Sequence, residues 1–90
     1  MIYVHSKPNC PYCVKAKDLL KTTGIPYEEI TYDPETEDYT SRRDVLIAKT
    51  NHRTFPQVFD GERFVGGFTE LAAEVDEGII APVLAFTEDF

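Results

Sequence analysis

The sequence has no tryptophan, one methionine and only two cysteines among its 90 residues. So few cysteines exclude a disulfide-rich scaffold. No apolar run approaches the roughly 20 residues that a membrane-spanning helix needs. The opening MIYVHSK has no basic region before it and no cleavage site after it, so no signal peptide is expected. These absences predict a soluble, cytoplasmic protein, and the length of 90 residues predicts a single domain over residues 1–90.

Basic residues are missing from the end of the chain. The formal net charge is −7, and six acidic residues but no lysine or arginine follow Arg63. Because this surface would repel phosphate backbones, nucleic acid is not expected as a partner. Residues 1–27 instead contain four lysines against one aspartate. This basic segment contains both cysteines and would attract an anionic small molecule.

Hydrophobic periodicity and turn residues predict an alternating order of strands and helices. Strands are expected at 2–6, 27–32, 57–59 and 63–65, and helices at 11–23, at about 36–50 and from an N-cap at Thr69. Asp60-Gly61 predicts a hairpin between the last two strands, and Asn51 a left-handed helix cap. A further helical turn is expected from Ile79, Ile80, Val83 and Leu84, with Pro82 in its first residues. The predicted fold is α/β, with a mixed four-stranded sheet covered by helices.

The pair Cys10 and Cys13 is the candidate chemical centre. A disulfide that closes so short a loop constrains the unfolded chain little, which makes a structural staple a weak explanation. Structural zinc takes four nitrogen or sulfur ligands, and His5 and His52 are not in the usual ligand spacing. Two inert buried cysteines are a further alternative, but C-x-x-C beside a βαβ pattern is typical of a redox couple. A redox couple is therefore the preferred interpretation.

The two cysteines are expected to differ in reactivity. Cys10 precedes Pro11, a residue suited to the first position of a helix. The first N–H groups of a helix have no acceptor within it, so they stabilise a thiolate at Cys10, as does the charge of Lys7. Together they would lower the pKa of Cys10 below the ~8.5 of a free thiol. Cys13 lies inside the helix without these donors, so we predict that Cys10 attacks and Cys13 resolves.

Three motifs in order, KPNCPYC, RTFPQVF and GGFTEL, resemble the dithiol glutaredoxins of the thioredoxin superfamily. The resemblance extends from the first strand to at least residue 75. It implies a thioredoxin-like (glutaredoxin) fold, a four-stranded mixed sheet flanked by helices in the order βαβαββα. It also implies an enzyme that reduces protein disulfides and protein–glutathione mixed disulfides through Cys10 and Cys13. Glutathione would be the reducing co-substrate, with no tightly bound cofactor and no metal.

The resemblance further implies a glutathione-binding groove. Lys7 and Tyr12 would border the ligand, the lysine facing a carboxylate. A cis Pro56 beside Cys10 would turn the Phe55 main chain outward to pair with the cysteinyl part of glutathione. The implied glutathione-binding residues are Lys7, Tyr12, Arg53, Thr54, Phe55, Pro56, Gly67, Thr69 and Glu70.

Two residues depart from the family pattern. Phe55 replaces the usual valine, which main-chain pairing should tolerate, although the ring would narrow the groove. Glu70 stands where aspartate is commonest, and its carboxylate would pair with the γ-glutamyl ammonium. The amides of Thr69 and Glu70 at a helix N-terminus would hold the γ-glutamyl carboxylate. Arg53 is expected to contact a carboxylate, and either Arg42 or Arg43 would add another contact.

The other conspicuous side chains are expected to be structural or exposed to solvent. His5 should be structural and His52 solvated in a turn. The lysines of the first helix should form a solvated face, and several aromatic residues should belong to the core or its edge. These residues are Lys15, Lys17 and Lys21, and Phe59, Phe64, Phe68 and Phe86.

The residues themselves leave two competing functions open. One is a thioredoxin-like electron carrier recharged by a flavoprotein reductase. The other is an iron–sulfur binder that uses Cys10 and glutathione. The expected partners of a glutaredoxin are glutathione and disulfide-containing or glutathionylated proteins. A ribonucleotide reductase is a typical client of the family, but no residue here points to it, and a monomer is expected.

Overall fold

The computed structural model describes residues 1–82, in which four strands and three helices follow the order βαβαββα. The strands are β1 (Ile2–Ser6), β2 (Tyr27–Thr31), β3 (Gln57–Asp60) and β4 (Arg63–Gly66). The helices are α1 (Pro11–Thr22), α2 (Tyr39–Thr50) and α3 (Phe68–Asp76). None of these helices is both long and apolar enough to cross a membrane. The order of elements is the predicted one.

The four strands form one mixed sheet in the order β2-β1-β3-β4. Strand β1 pairs in parallel with β2 and antiparallel with β3, and β3 pairs antiparallel with β4. Gly61 closes the β3–β4 hairpin at a φ of +63°, a conformation that glycine adopts without steric cost. The predicted α/β fold with a mixed four-stranded sheet is therefore confirmed.

The two faces of the sheet carry different cores. The larger core joins β1 and β3 to α1 and α3, and it consists of Ile2, Val4, Ala16, Leu20, Ile25, Val58, Leu71 and Ile80. The smaller core has Tyr32, Leu46 and Phe59 at its centre. Its partly buried neighbours are Tyr3, Ile30, Tyr39, Phe55 and Phe64. Because successive strand residues point to opposite faces, β1 contributes to both cores. This smaller core, called the aromatic core below, extends to Phe55, which lies beside the cysteines.

Helix α2 begins later than its predicted start at about residue 36. The Asp33 side chain accepts a hydrogen bond from the Glu35 N–H (2.9 Å), and the Asp33 carbonyl accepts one from the Thr36 N–H (3.0 Å). Such local bonds hold the chain in turns and compete with a helix. The helix therefore starts only at Tyr39. At its other end, Asn51 has the predicted left-handed conformation (φ 57°).

The predicted N-cap of the third helix, Thr69, is wrong. Helix α3 starts at Phe68, and Gly67 is its N-cap. The Glu70 carboxylate folds back and accepts the Gly67 N–H at 2.7 Å, which is the acidic half of a capping box. Glu70 therefore determines where this helix begins.

The end of the described chain only partly tests the expected further helical turn. Gly78 has a φ of +77° and follows the end of α3. Residues 79–82 are not helical, although Ile80 is buried in the larger core. The remainder of the predicted turn, Val83 and Leu84, and the predicted core residue Phe86 lie outside the described residues.

Candidate active site

The two cysteines lie where β1 leads into α1. They are joined by a disulfide, and their Cα atoms are 5.2 Å apart. Cys10 is the N-cap of α1 and Pro11 its first residue, as predicted. The Cys13 N–H donates to the Cys10 Sγ at 3.2 Å. After reduction, an N–H donor at this position would stabilise a thiolate on the same sulfur.

Solvent can reach Cys10 more readily than Cys13. The exposed fraction is 9% for Cys10 and 1% for Cys13. An incoming disulfide is therefore expected to approach Cys10 in preference to Cys13. The difference agrees with the predicted roles of attacking and resolving cysteine.

The loop before β3 lies against the cysteines. Its Phe55–Pro56 peptide bond is cis, as the family resemblance implied. The Phe55 carbonyl oxygen is 3.6 Å from the Cys10 Sγ. The Phe55 ring packs against Tyr32 on one side (centroids 5.3 Å apart), and the Lys7 Nζ lies 5.6 Å from its centroid. Phe55 thus links the aromatic core to the reactive sulfur and to a lysine ammonium.

An open groove of about 470 Å³ runs along this loop and the start of α3. This volume lies within the range of about 300–1,000 Å³ that is typical of small-ligand sites. Its lining residues are Tyr12, His52, Thr54, Phe55, Pro56, Gly67, Phe68, Thr69 and Glu70. Seven of the nine residues predicted to bind glutathione line it, whereas Lys7 and Arg53 do not. The Lys7 ammonium lies beside the ring of Phe55, which is one of the lining residues.

The two glycines before α3 let other groups approach closely. Gly66 has a φ of +132°, and a Cβ there would lie 2.7 Å from the Glu70 Cγ. A Cβ on Gly67 would lie 3.4 Å from the Glu70 Oε1, 3.6 Å from the Pro56 carbonyl oxygen and 3.7 Å from the His52 Nε2. Glycine therefore keeps this part of the groove free for a ligand.

The expectation that His52 is solvated is wrong. His52 is half-buried, lines the groove and has its Nε2 at 3.1 Å from the Thr54 Oγ1. Its ring meets Phe64 of β4 edge-on, with centroids 5.5 Å apart. The pairing of β3 with β4 creates this contact, and the only sequence signal was the position of His52 two residues before Thr54. Phe68 was assigned to the core, which it contacts, but it also lines the groove.

His5 has the predicted structural role. Its Nδ1 is 2.8 Å from the Tyr32 hydroxyl, and burial lowers its pKa, as do the nearby charges of Lys49 and Arg42. The Arg42 guanidinium lies 4.4 Å from the Tyr32 ring centroid and donates to the Thr31 carbonyl. Burial raises the pKa of Tyr32.

Neither arginine proposed for the second helix lines the groove. Arg42 is engaged with Tyr32, and Arg43 forms an ion pair with Asp44 at 3.2 Å. Sequence reasoning could not choose between them because their contacts depend on how α2 packs against the end of β2.

The expected solvated face of α1 has one exception. Lys17 is bound to the Glu29 carboxylate at 2.8 Å, and the buried Ser6 hydroxyl donates to the same oxygen at 2.6 Å. These hydrogen bonds, from Lys17 first and then Ser6, lower the pKa of Glu29. Lys15 and Lys21 are exposed as predicted, and the Lys15 ammonium lies 4.9 Å from the Tyr12 ring centroid.

A buried amide holds the groove loop in place. Gln57 is fully buried; its Oε1 accepts from the Thr50 hydroxyl at 2.8 Å, and its Nε2 donates to the His52 carbonyl. We expect Gln57→Leu to lower the free energy of unfolding by about 1–3 kcal/mol, because it leaves buried groups without partners. Chemical denaturation of the wild type, of Gln57→Leu and of a control variant measures this free energy. The control is Thr22→Ala on the exposed face of α1, and an equal small loss in both would contradict the role of Gln57.

Comparisons with known proteins agree with this site. Residues 2–65 match the Glutaredoxin family model. The chain is 35% identical over 83 residues to a glutaredoxin of Ricinus communis, covering 92% of this chain and 80% of that protein. It is 30% identical over 83 residues to glutaredoxin 3 of Escherichia coli K12, covering 92% and 95%.

Solved structures give the same relationship. A buckwheat glutaredoxin–glutathione complex superposes with a TM-score of 0.79 and 29% identity, covering 88% of this chain and 71% of that one. Oxidised glutaredoxin 2 of Chlamydomonas reinhardtii gives a TM-score of 0.75 and 34% identity, covering 88% and 74%. With its paired cysteines at the start of α1, the chain belongs to the glutaredoxin family of glutathione-dependent thiol–disulfide oxidoreductases.

Proposed function

We propose that Cys10 performs the attack on every substrate. On a protein–glutathione mixed disulfide, the Cys10 thiolate attacks the glutathione sulfur, and the protein leaves as a thiol. A second glutathione thiolate then attacks the glutathione sulfur bound to Cys10, which releases oxidised glutathione and regenerates the Cys10 thiolate. The observation that carries this assignment is the position of Cys10 at the N-cap of α1, where it is more exposed than Cys13 and has an N–H donor directed at its sulfur.

Protein disulfides require the second cysteine. Cys10 attacks one sulfur of the substrate and forms a mixed disulfide with it. The Cys13 thiolate then attacks the Cys10 sulfur, which releases the reduced protein and leaves the Cys10–Cys13 disulfide present in the structure. Two glutathiones restore the dithiol and become oxidised glutathione. A thiol of lowered pKa is both available as a thiolate and a good leaving group.

Glutathione is assigned to the groove beside Cys10. Its cysteinyl part would pair with the Phe55 main chain, whose carbonyl is 3.6 Å from the reactive sulfur. The γ-glutamyl end would lie at Gly67, Thr69 and Glu70, where the first N–H groups of α3 can bind a carboxylate. The glycine carboxylate would face Lys7. A solved relative, the buckwheat glutaredoxin, is a complex with glutathione.

The proposed physiological setting is the cytoplasm. Glutaredoxin couples lie at about −200 to −230 mV, close to cytosolic glutathione, so both directions of exchange are accessible there. The proposed working unit is a monomer, because one chain supplies both cysteines and all the groove residues. The proposed clients are disulfide-containing or glutathionylated proteins.

Turnover of a small mixed disulfide tests the function. The protein is expected to reduce it with glutathione and glutathione reductase, and to show little turnover with thioredoxin reductase as the only electron source. Faster turnover with thioredoxin reductase would favour the thioredoxin-like alternative. An intense visible absorption band in the purified protein would favour the iron–sulfur alternative.

Lys7→Ala should raise the KM for glutathione by roughly threefold to fivefold, because a solvent-exposed ion pair contributes up to about 1 kcal/mol. A decrease in kcat is expected as well, because the charge of Lys7 is expected to help stabilise the Cys10 thiolate. The glutathione-coupled assay measures both constants. Lys21→Ala is the matched control on the exposed face of α1. If both variants had the wild-type KM, Lys7 would not belong to the site.

A further inference from the structure

One end of the groove has an imidazole and a carboxylate on either side of Gly67. The His52 Nε2 and the Glu70 Oε1 lie 3.7 Å and 3.4 Å from the position that a Gly67 Cβ would occupy. The Thr54 hydroxyl oxygen is 3.1 Å from the same imidazole nitrogen. The Pro56 carbonyl oxygen lies 3.6 Å from the same Cβ position, so hydrogen-bond donors and two acceptors meet around one vacant point.

His52 is held more firmly than a residue of a solvated turn. Its backbone N–H donates to the Thr50 hydroxyl at 3.2 Å, and its carbonyl accepts from the buried Gln57 amide. Its ring packs edge-on against Phe64. Because backbone and ring are both fixed, the imidazole is already positioned before a ligand arrives, which reduces the entropy lost on binding.

The hydrogen bond between His52 and Thr54 has a consequence for what the groove can bind. With a proton on Nε2, His52 donates to the Thr54 oxygen, and the hydroxyl proton of Thr54 is then left to donate to a ligand. A carboxylate has only acceptor oxygens, so it can accept this hydroxyl proton of Thr54. An ammonium fits the neighbouring Glu70 carboxylate instead.

The γ-glutamyl residue of glutathione carries these two groups on one carbon atom. We propose that His52 is a positioning residue for specificity: by donating to the Thr54 oxygen, it directs the Thr54 hydroxyl proton at the γ-glutamyl α-carboxylate. This inference rests on the proposed glutathione site. His52 would then determine whether the groove distinguishes peptide thiols that have this carboxylate from those that lack it. His52 lies outside the RTFP and GGFTEL motifs.

Three tripeptides separate this role from a structural one. They are glutathione, 4-aminobutyryl-Cys-Gly, which lacks the α-carboxylate, and glutaryl-Cys-Gly, which lacks the ammonium. Each is supplied as its mixed disulfide with 2-mercaptoethanol, and kcat/KM is measured with constant glutathione and glutathione reductase. The variants are His52→Ala, His52→Phe, which keeps a ring against Phe64, and His52→Gln, which restores an N–H donor. Lys49→Ala is the control on α2.

We expect His52→Ala and His52→Phe to lower kcat/KM about tenfold for glutathione and for glutaryl-Cys-Gly, as loss of a hydrogen bond to a charged group would. For 4-aminobutyryl-Cys-Gly the loss should stay within about twofold, since the carboxylate partner is absent. His52→Gln should recover most of the difference between the tripeptides, and Lys49→Ala should leave it unchanged.

Two results would overturn the assignment of His52. An equal loss with all three tripeptides would mean that His52 acts only on the shape of the loop, and no loss with any of them would mean that it does not orient the Thr54 hydroxyl toward the ligand. In both cases wild-type turnover would leave the proposed function intact. If the wild-type protein reduced none of the three mixed disulfides, the proposed function and this inference would both fail. Thermal unfolding identifies any variant that does not fold, and His52→Phe then replaces His52→Ala.

Discussion

Cys10→Ser is expected to abolish turnover with both protein disulfides and glutathione mixed disulfides. A serine hydroxyl cannot form the sulfur–sulfur bond on which both branches depend. Cys13 is 1% exposed, so it is not expected to take over the attack. Removal of a nucleophile commonly costs roughly 10⁴-fold or more in rate. The glutathione-coupled assay should therefore give only the uncatalysed rate.

The control for Cys10→Ser must exclude a loss of folding. Because the variant cannot form the Cys10–Cys13 disulfide, the reduced wild-type protein is the correct reference for its thermal unfolding. Val14→Ala, on an exposed position of the same helix (51% exposed), should retain full activity. Activity above a few per cent in Cys10→Ser would mean that Cys13 can attack, which would contradict the assigned roles.

Local sequence signals were sufficient to predict the fold and the position of the reactive sulfur. The Pro11 helix start, the Asp60-Gly61 hairpin and the Asn51 cap depend on conformational preferences of one or two residues. Short strands with clear alternation, such as Ile2–Ser6, were predicted to within one residue. These features need no knowledge of distant contacts.

The family resemblance supplied another part of the site. The cis bond before Pro56 could not have been derived from composition or spacing, because most bonds to proline are trans. The set of groove residues came from the same source, and seven of its nine members line the groove.

What the sequence missed depends on long-range packing. His52 turns into the groove because Phe64, twelve residues later, pairs back beside it through the β3–β4 hairpin. Helix α3 starts earlier than the predicted cap at Thr69 because the Glu70 side chain accepts a hydrogen bond from the Gly67 N–H. That side chain fits only because Gly66 has no Cβ. Neither contact has a periodic or local pattern, so only the folded arrangement reveals it.

Cys13→Ser should affect removal of glutathione from proteins and reduction of protein disulfides to different extents. Removal of glutathione from proteins needs only Cys10 and a second glutathione, so its rate should stay within a few-fold of wild type. Reduction of protein disulfides should fall by roughly 100-fold or more, because the neighbouring thiol acts at a very high effective concentration that free glutathione does not match. Both rates are measured on the same preparation with glutathione and glutathione reductase. The mixed disulfide between Cys10 and the substrate should accumulate and be detectable by mass spectrometry.

A second variant separates chemistry from packing at this buried position. Serine puts a hydroxyl at a buried position, since Cys13 is 1% exposed, and this lowers stability unless the hydroxyl finds a partner. Cys13→Ala removes the thiol without adding a polar group, so both variants should show the same division of activities despite different stabilities. If the two activities fell equally in both variants, Cys13 would support the position of Cys10 instead of resolving its mixed disulfides. If disulfide reduction were unchanged, glutathione alone would resolve them, and the Cys10–Cys13 disulfide would not belong to the catalytic cycle.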